Sequence, residues 1–161
     1  MGRMAPAKII LMLLRLALGG VFIYAGALKI VDAQGFARDV HHFQLTPWTL
    51  SVVIAVYLPW LEVVAGLALI LRRMPLGASL ALVIMTSVFL AALSIAWARG
   101  LDISCGCFGK EEHNIQTHFP QLFLRDAALL AAAVILFIAE SRRNWEAEAP
   151  AEPSSAHEEA P

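Results

Sequence analysis

The sequence predicts an all-α membrane protein, a single bundle of four transmembrane helices, and three observations carry that reading. Of 161 residues, 59% are hydrophobic and only 16% charged, the mean hydropathy is +0.68, and long apolar segments recur at 9–28, 48–71, 75–98 and 120–139. That balance is too apolar for a soluble domain of this size. A hydrocarbon core about 30 Å thick takes about 20 residues of helix at about 1.5 Å each, and every segment reaches that length. Strands exposed to lipid would leave backbone amides without partners, so these runs are helices.

The first segment follows a basic start, Arg3 and Lys8, and ends near the small residues Ala25, Gly26 and Ala27. That arrangement also fits a secretory signal with its cleavage site. A signal's apolar region usually spans about 7–15 residues, whereas this run is longer and carries Arg15 inside it. An uncleaved first helix is expected. The second segment contains Pro59, Trp60, Leu61 and Glu62, and Ala55, Pro59, Glu62 and Gly66 recur at steps of three and four. This face of small residues should pack inward, and Gly19, Gly20 and Gly26 of the first helix offer small residues for helix contacts of the same kind. The third segment begins after the tight turn Arg72, Arg73, Met74, Pro75, and the fourth carries Arg125 and Asp126 near its start and Ala127, Ala128, Ala131 and Ala132 for helix contacts. Residues 144–161, rich in Glu, Ala and Pro, cannot bury enough surface to offset their ordering entropy and read as a disordered tail.

Lys and Arg flanking transmembrane helices are retained on the cytoplasmic side. With the N-terminus inside, the cytoplasmic ends hold Arg3, Lys8, Arg72, Arg73, Arg142 and Arg143, against Lys29, Arg38, Arg99 and Lys110 outside. Both termini are therefore expected in the cytoplasm, and the loops 29–47 and 99–119 outside. With a formal charge of −1 and no basic patch interleaved with aromatics, nothing points to nucleic acid. Its expected surroundings are a lipid bilayer.

Charges at bilayer depth face protein or a watery cavity. Arg15 lies seven residues past Lys8, and Glu62 ten before Arg72, so the two are expected at comparable depths as an intramembrane pair that fixes helix register. Asp102, Arg125 and Asp126 should gather at the external end. They would form a salt-bridge cluster, or Arg125 would stabilise a thiolate.

Those thiols are Cys105 and Cys107, the only cysteines of the chain, separated by Gly106 and followed by Phe108 and Gly109. Three readings are open. Neighbours at i and i+2 can form a strained, easily reduced disulfide suited to a redox relay. With His113 and His118 the pair also gives a set of soft ligands for zinc or copper(I), although the spacing matches no strong structural-zinc pattern. A purely structural bridge across one residue removes little loop entropy.

The residues from Arg15 to Lys29 resemble the first helix of the DoxX-like membrane families, and Pro59-Trp60-Leu61-Glu62 with Gly66 resembles the second. Cys105-Gly106-Cys107-Phe108-Gly109 followed by Arg125-Asp126 is similar to the MauE branch, the methylamine-utilisation membrane proteins. That resemblance implies a four-helix inner-membrane protein acting with a periplasmic thioredoxin-like partner, in disulfide maturation of methylamine dehydrogenase or a related pathway. In the mechanism expected on this footing Cys105 and Cys107 exchange disulfides with the partner, while the residue chemistry has Arg125 tuning the thiolates and Asp102 ordering the loop. Proteins of this size that relay electrons between quinones and periplasmic thiols carry more cysteines, so quinone stays open as a cofactor without a self-contained relay. The rival expectation is a non-enzymatic assembly factor or a copper or zinc delivery subunit, with Cys105, Cys107, His113 and His118 as ligands.

Overall fold

The structure, a computed structural model, describes residues 6–101 and 115–148. Five helices follow in order: α1 Pro6–Val31, α2 Ala33–His42, α3 Trp48–Ile70, α4 Pro75–Ala98 and α5 Ile115–Glu148. No strand occurs among the described residues. Four helices are long and apolar enough to cross a membrane, over Ile9–Val31, Trp48–Ile70, Pro75–Ala98 and Pro120–Trp145. The first and last run beyond the segments expected from sequence, because Ile30 and Val31 continue the apolar face of α1, and Glu140 lies on the buried face of α5. Residues 144–148, expected to begin a disordered tail, continue α5. The rest of that tail lies outside the described residues.

One element was hidden in an expected loop. Asp32 caps α2, its carboxylate accepting a hydrogen bond from the Gly35 amide at 3.0 Å, which satisfies an orphan donor of the first turn. Phe36 and Ala37 are buried and pack with Val40 against Ala55 and Leu58 of α3. That i, i+1, i+4 stripe makes α2 amphipathic rather than a span.

The main packing partners are α1 with α3 and α4 with α5. Glycines bring the first pair together. A Cβ on Gly19 would stand 2.8 Å from the Gly66 carbonyl oxygen, and one on Gly66 would stand 2.7 Å from the Gly19 carbonyl oxygen. Gly26 meets the Pro59 carbonyl in the same way, at 2.7 Å. The inward small-residue face of α3 is thus matched by Gly19 and Gly26, while Gly20 faces open space. On α5 the buried positions are Leu122, Asp126, Ala133, Leu136 and Glu140. Ala128 and Ala131 point outward.

Both turns around α4 have defined geometry. Arg72 ends α3 at φ 56°, and the amides of Arg72 and Arg73 donate to the carbonyls of Leu69 and Ala68. The same pair of bonds closes α4, from Gly100 to Trp97 and from Leu101 to Ala96, with Gly100 at φ 68°. This is the Schellman arrangement, in which a left-handed residue lets the final carbonyls find donors. It turns the chain so that Leu101 packs on a core of Phe43, Leu93, Ala96 and Leu122. Leu101, the last described residue before the cysteines in sequence, is thereby held beside Leu122 of α5.

A buried polar layer between two apolar cores

Leu18, Phe22, Ala65, Leu69, Leu82, Ala133 and Leu136 belong to one core, and the Phe43, Leu93, Leu122 cluster forms another toward the opposite end of α4 and α5. Between them along these two helices lie Thr86 and Asp126, where a cavity of about 80 Å³ opens. Lys29, Glu62, Thr86, Arg125 and Asp126 line it together with aromatic and thioether side chains. Two carboxylates and two cations therefore converge inside the membrane-spanning region.

Lys29 donates to Glu62 Oε1 at 2.5 Å, with both side chains buried, and its ammonium lies 5.1 Å from the centroid of the Phe36 ring, within cation–π range. Arg125 Nε donates to Asp126 Oδ1 at 2.9 Å. Each carboxylate keeps one buried oxygen, Glu62 Oε2 and Asp126 Oδ2, with no hydrogen-bond partner among the described residues. Buried polar atoms are nearly always satisfied, so two residues that line one cavity and each keep an open acceptor mark it as a place where a donor belongs.

The expected pair of Arg15 with Glu62 does not form. Arg15 instead makes an ion pair with Glu140 of α5, with Arg143 at 3.7 Å from the same carboxylate oxygen. Depth counted from Lys8 and Arg72 misleads here because α1 runs antiparallel to α3 with Gly19 against Gly66 and Gly26 against Pro59. In that register Glu62 also touches Gly26, one turn before Lys29, so the long Lys29 side chain reaches it, and Arg15 lies fourteen residues from Lys29, about 21 Å along the helix. Two buried pairs replace the expected one. Lys29 was counted as an external loop charge and Glu140 fell beyond the expected helix, so sequence reasoning missed both. Glu140 stands fourteen residues, nearly four turns, after Asp126, and that helical spacing was the available signal.

Of the other sequence-derived site residues, Arg125 and Asp126 do associate, with each other. Asp102, Cys105, Cys107 and His113 lie outside the described residues. His118 falls within α5, and its side chain is not among those described. No group of three or more metal-ligating side chains occurs among the described residues. Outside the spans, Asp39 of α2 has its carboxyl pushed above the ordinary range, chiefly by burial and further by Asp32, against the pull of His42 and Arg38.

Comparison with known proteins agrees with this architecture. A methylamine utilization protein MauE from Paracoccus denitrificans is 33% identical over 100 residues, which is 62% of this chain and 54% of that protein. The chain thus spans about half the length of the curated relative it matches. No solved structure matches it. The family model described as methylamine utilisation protein MauE matches residues 7–139, which takes in all four spans up to the end of the apolar run of α5, and the chain therefore belongs to the MauE family.

Proposed function

We propose that this protein is an inner-membrane thiol–disulfide maturation factor, acting in methylamine utilisation or a related pathway with a periplasmic thioredoxin-like partner. The observation that carries the reading is the Cys105-Gly106-Cys107 motif in a MauE-family chain. The thiolate of one cysteine attacks a partner disulfide, forming a mixed disulfide and expelling a partner thiolate. The second cysteine then attacks the mixed bond, leaving Cys105 and Cys107 oxidised and the partner reduced by two electrons. The reverse sequence oxidises the partner, and the relative potentials set the direction. Arg125 and Asp102 are assigned the supporting roles, lowering a thiol pKa by positive charge and ordering the loop.

The proposed orientation has both termini in the cytoplasm and the cysteines outside. Support comes from charge: with Lys29 buried in an ion pair, the external side keeps Arg38, Arg99 and Lys110 against six basic residues inside. A short Arg72-Arg73 turn strengthens that bias.

Serine replacement of Cys105 or Cys107 tests the reading against metal delivery. A thiol relay needs both sulfurs and no imidazole, so either single replacement abolishes maturation, scored as growth on methylamine, while His113→Ala with His118→Ala leaves it nearly intact. Loss of growth in the histidine variant would instead favour zinc or copper ligation. Growth that survives loss of both cysteines would overturn both chemistries.

A further inference from the structure

A second space adjoins the polar cavity. An apolar groove of about 370 Å³ shares Phe36, Leu58, Met85 and Phe89 with it. The groove opens past Ile84 and Val88 of α4, which are 55% and 64% exposed on a helix long and apolar enough to span the membrane. Entry there would bring a molecule dissolved in the bilayer up to the shared side chains, with Glu62 and Asp126 on their far side. These two residues are only 6% and 3% exposed, and each offers an oxygen that lacks a donor.

The chemistry of the lining selects the occupant. Lys29, Arg125, Glu62 and Asp126 sum to zero formal charge, so an anionic phospholipid headgroup or a cationic amine would add net charge at bilayer depth, where charge is expensive. A neutral head remains. Two open carboxylate oxygens call for hydroxyl donors, and Phe22, Phe36 and Phe89 suit a flat ring. The cavity is several times the roughly 10–15 Å³ that one water needs, and the adjoining groove, about 370 Å³ and lined by apolar side chains apart from Asp39 and Thr46, has room for a hydrocarbon chain. We propose that cavity and groove together bind a bilayer-soluble hydroquinone, its ring hydroxyls donating to Glu62 Oε2 and Asp126 Oδ2 and its chain lying in the groove toward Ile84 and Val88. Its oxidised quinone carries carbonyl acceptors where hydroxyl donors are wanted, so the reduced form binds more tightly.

The test uses the full chain in phosphatidylcholine nanodiscs, titrated with a decyl-chain hydroquinone and separately with its quinone. Saturable binding of about one hydroquinone per chain is expected, at least ten-fold tighter than the quinone. Asp126→Asn weakens it at least ten-fold. Met85→Trp, which puts bulk at a side chain lining both groove and cavity and replaces no member of either ion pair, does the same, so the proposal stays testable if Asp126→Asn misfolds. Water alone in the cavity, seen as no saturable binding, would overturn it. So would equal affinity for the two redox forms, unchanged affinity in Met85→Trp, or a phospholipid held in the groove that hydroquinone fails to displace. A chain with Cys105→Ser and Cys107→Ser should bind hydroquinone as the native chain does, so this proposal and the thiol reading fail separately.

Discussion

Lys29 of α1 and Glu62 of α3 meet at 2.5 Å inside the membrane-spanning bundle, one residue near the end of its helix and the other well within its own. The contact fixes how far the two helices slide past each other. Together with Gly19 against Gly66 and Gly26 against Pro59, it holds Glu62 on the cavity that Asp126 also lines.

Removing one member of a buried pair strands the other, at a cost of about 3–5 kcal/mol. Lys29→Met and Glu62→Leu should each destabilise the bundle by that order, and the double variant should recover much of the loss. Arg15→Leu and Glu140→Leu should behave the same way as a second cycle. Arg15→Leu with Glu62→Leu should be additive within about 0.5 kcal/mol. Unfolding in mixed detergent micelles measures all three cycles, and strong coupling between Arg15 and Glu62 would contradict the register.

Glycine substitutions probe the same interface sterically. Gly19→Ala puts a methyl 2.6 Å from Ile70 Cγ1 and 2.8 Å from backbone, and overpacking of this kind costs about 1–3 kcal/mol. Gly20→Ala has no atom within 4 Å to strike and should be neutral or slightly stabilising, since alanine favours helix. Equal effects at the two sites, in the same detergent assay, would mean that α1 is rotated from the face described.

Asp39 gives the fold a pH dependence outside the spans. Its folded pKa is raised above the unfolded value, chiefly by burial, so the folded state binds the proton more tightly. The destabilisation is full above the folded pKa and is relieved as pH falls through it toward the ordinary aspartate value. Asp39→Asn should stabilise the docking of α2 at neutral pH and flatten stability across that window. Hydrogen exchange of the α2 amides against pH reads this, and an unaltered pH profile in the variant would contradict it.

Sidedness has its own test. Membrane-impermeant thiol labelling of intact spheroplasts, after mild reduction, should modify Cys105 and Cys107, while a cysteine placed at Arg73 is protected until the membrane is opened. Protection of the native pair together with labelling at position 73 would invert the topology.

Much of the architecture was legible because bilayer thickness sets helix length: the third segment matches α4, and the second matches α3 to within one residue. The inward face of α3 was legible too, since Ala55, Pro59, Glu62 and Gly66 share a helical stripe and all are buried. Pairing was not. Distance from a flanking basic residue estimates depth only if the apolar run ends where hydropathy drops, and α1 carries Lys29 inside its apolar end. A snorkelling lysine and a buried one look alike in sequence. The helix α2 escaped notice because its apolar stripe is only three residues, and its capping aspartate sits one residue after α1 ends.

The thiol reading is tested most directly by trapping its intermediate. A single-cysteine chain, Cys107→Ser, keeps one sulfur to attack a partner disulfide and lacks the second that would release it, so a covalent adduct should accumulate. Cells expressing it are quenched with acid, alkylated and run on non-reducing gels. The account predicts a band shifted by the mass of a small thioredoxin-fold protein, for Cys107→Ser or for Cys105→Ser, that vanishes on reduction and is missing when both cysteines are replaced. Absence of any reducible adduct from both single variants, in cells where the native chain supports maturation, would contradict it.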